Sequence, residues 1–334
     1  MSLPARLSYV FIALLIIASG WLHLATALVT VLFCFFALHL LTFGGRKWLA
    51  VILFLVLLTA VGVGFYFFIK QTIRAVPHIA ETTIPVVLEW AEKKGIELPF
   101  ADYASLRDLA IDAIKQESDG VGKYAHVALI QSAGILIGIV VALSLFLNSR
   151  FDLAADQPAQ SNNLYTLTGH EITRRFGLFY QSFATVMGAQ ILIAAINTAF
   201  TAGFLFWNHL PYAKILIGVT FLCGLLPIVG NLITNTLIVG VAFTISPQLA
   251  LAALVFLVVV HKSEYFLNSK IVGDRIQNPM WLTLIGLVVG EKLLGVPGLI
   301  LAPVILHYVK VEAKRSRVAR TAGSEAIAGP ESTA

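Results

Sequence analysis

Residues 212–245 read YAKILIGVTFLCGLLPIVGNLITNTLIVGVAFTI. At about 1.5 Å per residue, one helix over this region would be about 50 Å long. The hydrocarbon core of a bilayer is only about 30 Å thick. The region does not read as one straight span, because Leu226-Pro227-Ile228-Val229-Gly230-Asn231 interrupts it. Pro227 has no backbone N–H to donate, and Gly230 relaxes the helix. Broken backbone at membrane depth is tolerated only where protein or water satisfies the freed polar groups. Half-helix ends then offer carbonyls to cations and N–H groups to anions. Asn231 and Asn235 lie one helical turn apart, so both amides can face one cavity. The competing reading is a proline kink whose asparagines glue helices together.

The rest of the chain is apolar in the same way. Of its 334 residues, 58% are hydrophobic and 12% are charged, against about 25% charged in ordinary soluble domains. Mean hydropathy is +0.86. These figures argue against a disordered chain and an ordinary cytosolic enzyme, and they indicate a polytopic integral membrane protein. The net charge of +5 does not point to nucleic acid, because the basic residues cluster where positive-inside loops would lie. Cys34 and Cys223 both sit in apolar runs, which supports neither a disulfide framework nor a zinc site.

Working outward from residues 212–245, further apolar runs cover residues 7–18, 24–41, 48–69, 127–147, 176–207, 249–260 and 280–309. Ala18-Ser19-Gly20 resembles a signal-peptide cleavage site. The second run follows at once, which favours a tight transmembrane hairpin with Trp21 at the interface. Residues 70–124 are rich in charge and read as water-facing amphipathic helices. Ile84, Val87, Leu88 and Ala91 recur at helical spacing, with Pro85 in the first turn and Gly95 as a stop. Leu106, Leu109, Ala113 and Ile114 form a second stripe; Ser105 with Asp108 resembles its capping box, and Gly120 ends it. Such stripes can rest on the membrane, on each other or on another subunit.

The last apolar region, residues 280–309, is broken by Gly295-Val296-Pro297-Gly298, with Pro303 beyond. Parity then leaves two topologies. Either both broken regions are single bent spans, giving eight spans, or each is a re-entrant hairpin, giving six full spans plus two hairpins. Lys and Arg at Arg6, Arg46-Lys47, residues 150–175 and the tail mark the cytoplasmic side. The hairpin version also keeps Lys270 and Arg275 there, so it is favoured. The predicted fold is therefore an all-α polytopic membrane protein of about eight hydrophobic helical segments with a small external helical insert. The predicted blocks are a three-span unit over 1–69, the insert over 70–125, a unit with broken helices over 126–309, and a basic, disordered tail over 310–334.

Glu291-Lys292 lies within the last apolar region. Ionisable groups in membrane segments usually serve function or pair with one another, so Glu291 is a candidate proton or cation site. Alternatively, it sits at a hairpin tip that reaches water. Gly273-Asp274-Arg275 precedes this region and suits a structural or gating role, as does Pro303. Lys262 and Glu264 read as an interfacial pair. Gly134 with Gly138, and Gly286 with Gly290, fit close helix packing. Enzyme signals are poor. His170-Glu171-Ile172-Thr173 begins like a zinc-protease helix, but Arg174 stands where the second histidine is needed. No nucleophile elbow or phosphate-binding loop occurs, so an enzyme is not expected, and neither is a cofactor or metal.

The chain resembles the autoinducer-2 exporter family of bacterial membrane proteins, the PerM-like permeases. The resemblance is carried by Leu226-Pro227-Ile228-Val229-Gly230-Asn231, by Lys270-Ile271-Val272-Gly273-Asp274-Arg275-Ile276-Gln277-Asn278-Pro279, and by the stretch from Gly290-Glu291-Lys292 through Gly295-Val296-Pro297-Gly298 to Pro303. The paired N-terminal spans and the insert after the third span match as well. The resemblance implies a secondary transporter of the bacterial inner membrane, exporter-like; the Lys and Arg distribution puts both termini on the cytoplasmic side. Some members are linked to autoinducer-2 and others to sodium–proton exchange, so the substrate does not follow from the family.

The expected activity is movement of a small solute by alternating access. Pro227, Gly230, Asn231, Asn235, Glu291, Gly295, Pro297 and Gly298 would line the pathway, and Na+ or H+ coupling is expected through Glu291. The rivals are a cation–proton antiporter, a channel, and an oligomeric membrane scaffold acting through its external helices. The expected partners are the lipid bilayer, the transported solute or ion, and further copies of the chain.

Overall fold

The computed structural model describes residues 2–22, 24–95, 104–105, 120–148, 163–226, 229–272 and 279–325. Among them the regular elements are helices, with no strand. They are α1 (Leu3–Trp21), α2 (Ala25–Leu40), α3 (Lys47–Lys93), α4 (Gly120–Leu147), α5 (Leu164–Trp207), α6 (Ala213–Gly224), α7 (Val229–Ile245), α8 (Pro247–Val272), α9 (Met280–Leu294) and α10 (Val296–Glu325). The all-α membrane architecture expected from the sequence is thus present. Six segments are long and apolar enough to cross a membrane: α1, α3, α4, α5, and the Pro247–Glu264 and Val296–Lys314 parts of α8 and α10. The six differ in membership from those counted in the sequence. At 16 residues, α2 falls short of the about 20 that a span needs.

The chain forms two compact units interleaved along the sequence rather than consecutive blocks. One gathers Met1–Ala25, Ser149–Gly188 and Ser269–Ala334; the other gathers Thr26–Asn148 and Ala189–Asn268.

The second unit contains α2, α3, α4, the later part of α5, α6, α7 and nearly all of α8. Gly134 and Gly138 let α4 approach α2 closely. A Cβ at Gly138 would stand 2.8 Å from the carbonyl oxygen of Ala27, which is the small-residue packing that membrane helices favour. Cys34, Leu38, Ala50, Phe54, Ala142 and Phe146 close the core among α2, α3 and α4. The Lys47 ammonium donates to the Phe146 carbonyl at 3.1 Å, satisfying an orphan carbonyl at the end of α4.

The amphipathic stretch after the third apolar run is not a separate helix. It continues α3 to Lys93, through Pro77 and Pro85. Tertiary packing holds it there: Ala75 and Ile79 join a core with Leu205, Leu216, Ile238 and Val241. Farther along, Trp90 meets the edge of Phe243 with ring centroids 5.3 Å apart, and Thr83 lies against Gly240. This part of α3 therefore rests on α7 of its own chain. Gly95, at φ +68°, marks the stop. The second predicted stripe, residues 106–114, and its cap at Asp108 lie outside the described residues.

The α6–α7 pair is a helical hairpin, with α6 ending at Gly224 and α7 beginning at Val229. Any Cβ at Gly230 would collide with the carbonyl of Cys223, so only glycine allows this turn. In the loop before α6, His209 and Tyr212 adopt positive φ. Ser246 opens α8 as its N-cap, its hydroxyl accepting the Leu249 N–H at 3.1 Å.

The first unit contains α1, the start of α5, α9 and α10. Asn163 caps α5, its Oδ1 accepting the Thr166 N–H at 2.8 Å. The α9–α10 pair is a second hairpin, turning at Gly295 with φ 66° and ψ −149°, a conformation essentially reserved for glycine. Gly290 and Gly298 meet backbone to backbone, and Gly286 lies against Leu306. One expectation is corrected. Residues 310–325, read as the start of a disordered tail, continue α10. Their first turn is anchored by Glu312, which is 7% exposed and accepts a hydrogen bond from Tyr9.

Candidate functional site

Within the second unit, four helices enclose a small polar cavity. From α5 come Asn197 and Thr201, from α6 Thr220, from α7 Asn231, Thr234 and Asn235, and from α8 Leu257, Val260, His261 and Glu264. Asn231 and Asn235, singled out by their spacing, therefore share one cavity. Thr220 and Thr234 line the cavity from the two arms of the hairpin.

Glu264 is the cavity's carboxylate. Its Oε2 accepts from Asn231 Nδ2 at 2.9 Å and from Asn197 Nδ2 at 3.3 Å. His261 Nδ1 stands 3.6 Å from the same oxygen; its side chain is 61% exposed and that of Glu264 is 19% exposed. One carboxylate thereby links α5, α7 and α8. Thr220 donates its hydroxyl hydrogen to the Leu216 carbonyl at 2.7 Å, and Thr234 donates to the Gly230 carbonyl at 3.0 Å. Both hydroxyl oxygens keep lone pairs to offer. Asn197 Oδ1 is buried and has no hydrogen-bond partner. The accessible space is about 20 Å³, enough for about one water-sized body.

By sequence alone, Glu264 reads as half of an interfacial pair with Lys262. The structure instead sets it against two asparagines from other helices. Asn197, Thr201, Thr220 and Thr234 went unnoticed as well. Their only sequence signal is that they are polar residues inside apolar runs, which membrane helices also use for packing.

The remaining predicted site residues are distributed as follows. Gly230 is buried at the hairpin turn of the second unit. Glu291, Gly295, Pro297, Gly298 and Pro303 belong to the first unit. Glu291 is exposed, its carboxylate 3.6 Å from the Lys292 ammonium. Gly295 forms the turn, Gly298 is buried, and Pro297 and Pro303 are half-buried in α10. Pro227, Gly273, Asp274 and Arg275 lie outside the described residues.

The first unit holds a different polar cluster. Arg175 is 1% exposed and lies over the Tyr9 ring at 3.9 Å. It pairs with Glu171 and reaches Glu312 at 3.9 Å. Arg174 pairs with Glu171 at 2.9 Å, and Tyr9 donates to Glu312 at 2.8 Å. Two arginines thus face two glutamates, and the cluster ties α1, α5 and α10 together.

Comparison with known proteins identifies the family. The family model described as "AI-2E family transporter" matches residues 6–316. A Bacillus subtilis (strain 168) protein named "Putative transport protein YdbI" is 26% identical over 265 residues, covering 75% of this chain and 72% of that protein. No solved structure matches. With six segments able to cross a membrane among its described, helical residues, and matched almost end to end by this family's model, the chain belongs to the AI-2E transporter family and is a multi-pass, permease-type membrane transporter.

Proposed function

We propose that the chain is a secondary transporter, exporter-like, that moves a small solute across the bacterial inner membrane by alternating access, with ion coupling. The observation that carries this reading is the polar cavity built against a glycine-locked helical hairpin, in helices otherwise apolar. Transporter sites are typically formed this way, by interrupted helices whose freed backbone and polar side chains face a cavity. In this reading the α6–α7 and α9–α10 hairpins are re-entrant. At 12 and 15 residues, α6 and α9 are shorter than a full span. Both termini are cytoplasmic, following the distribution of Lys and Arg.

Asn231 and Asn235 serve as polar ligands of the pathway, and Gly230, Gly295, Pro297 and Gly298 shape the two turns. Glu291 takes the water-facing role at the tip of the second hairpin, beside Lys292.

Proteoliposomes carrying the full-length chain test this reading, with radiolabelled autoinducer-2 as the flux probe and a fluorescent pH dye for coupled proton movement. Carrier-mediated flux, saturable and without unitary conductance, is expected, and Asn231→Leu should abolish it. Flux that survives Asn231→Leu at the wild-type rate would sink the site assignment. Single-channel currents would sink alternating access.

A further inference from the structure

We propose that a second cavity, at the loop end of α5 and apart from the one at Glu264, is a binding site for a small amphipathic organic monoanion, of which an aromatic carboxylate is the simplest member.

This cavity lies wholly within the second unit. Its walls are the last turn of α5, the loop over residues 208–212, the first turn of α6 and Gln71 of α3. It shares no lining residue with the polar cavity. Its volume is about 450 Å³, within the range of about 300–1,000 Å³ that small-molecule sites occupy.

The lining sets the ligand's chemistry. Part of it is apolar: Leu205, Leu210 and Ile215 are buried and belong to the core, and Phe206 adds an exposed ring. The polar part can donate throughout, with the Lys214 ammonium, the Gln71 amide, the His209 imidazole and the Tyr212 phenol. The positive charge has no local counterweight. Lys214 is the one charged residue of α6. No aspartate or glutamate lines the cavity, residues 172–263 contain neither, and α3 carries none before Glu81. Lys70 and Arg74 flank Gln71 in sequence and add to the positive potential. An inorganic anion would pair with Lys214 and leave the apolar wall bare. A neutral hydrocarbon would cover the wall and leave the ammonium unpaired. One oxyanion on an apolar body meets both.

The ligand enters from water. His209 and Pro211 are exposed in the loop at the rim, and irregular loops of this kind lie outside the hydrocarbon region. Once bound, the anion would bridge Gln71 of α3 to Lys214 of α6, so occupancy would hold the first arm of the α6–α7 hairpin against α3.

The test is 19F NMR of 4-fluorobenzoate with the purified full-length chain in phosphatidylcholine nanodiscs, with empty nanodiscs as the blank. Wild type should broaden the probe saturably, reversed by excess benzoate and not by inorganic phosphate. Neutral 4-fluorobenzamide should bind severalfold more weakly. Lys214→Met should weaken binding about fivefold, the upper end for an exposed charge, and Lys214→Arg should retain it. Phe206→Ala should weaken it severalfold through lost apolar contact. Glu89→Gln, at an exposed pair with Lys93, should leave it unchanged. If Lys214→Met does not fold, Phe206→Ala and the neutral probe carry the test. The site is overturned if wild type shows no saturable binding, if the benzamide binds as tightly as the benzoate, or if Lys214→Met binds like wild type. Adding phosphatidylglycerol to the nanodiscs should leave the affinity unchanged; loss of binding there would assign the cavity to a lipid headgroup and overturn the soluble ligand. No flux is read, so failure here leaves the transporter reading standing.

Discussion

The two polar clusters bury charge in opposite ways. At Arg175, two cations and two anions face each other and the aromatic ring of Tyr9 covers the guanidinium. The set is electrically closed. At Glu264, one carboxylate is held by neutral amides, next to an unpartnered oxygen and a space of about 20 Å³. The set is open by one charge. A closed cluster stabilises a particular arrangement of helices. An open one leaves a place for something to arrive. Buried ionisable groups in membrane segments serve either end, and the charge balance tells which.

The contrast can be broken first at Arg175. Arg175→Ala leaves two carboxylates facing each other without their buried partner, and such losses cost about 3–5 kcal/mol. A large fall in melting temperature is expected in detergent-solubilised protein; wild-type melting would mean that the cluster does not hold α1, α5 and α10 together. Gly230→Ala comes next. Its Cβ has no room against the Cys223 carbonyl, so the hairpin must open, at about 1–3 kcal/mol. Thermal unfolding would report the loss, and an unchanged melting temperature would show that the turn tolerates a Cβ.

Glu264→Gln sharpens the comparison. A glutamine still accepts hydrogen bonds from Asn231 and Asn197, so stability should change by no more than about 1 kcal/mol while proteoliposome flux is lost. Destabilisation as large as at Arg175 would erase the distinction between the clusters. Glu291→Gln should do least, within about 0.5 kcal/mol as for other exposed substitutions, with flux near wild type. Lost flux there would return the coupling role to Glu291.

Much of this fold is legible in the sequence because its signals are local. Proline and glycine interrupt helices through their own backbone chemistry: α6 ends at Gly224, α7 begins at Val229 one residue before Gly230, and α9 ends at Leu294 beside Gly295. Asn231 and Asn235 share a cavity because a helical turn guarantees a shared face. Partnership across the fold is not local. Glu264 sits beside Lys262 in sequence, and nothing nearby announces that its amides come from residues 33 and 67 positions away. The same holds for Arg175, whose aromatic cover is Tyr9. The continuation of α3 through two prolines is likewise a tertiary effect. The local rule says a helix should weaken there, and the α7 face against which it packs overrides that rule.

That packing gives α7 the mechanics of a cantilever. Its far end is clamped: Gly240 against Thr83, Phe243 against Trp90, and Ile238 and Val241 in the shared core. Its near end, by contrast, is held by the turn at Gly230 and by the bond from Asn231 to Glu264. A beam fixed at one end deflects most at the other. Asn231 therefore travels farther than Asn235 in any bending of this helix, and the bond to Glu264 acts as the catch at the moving tip.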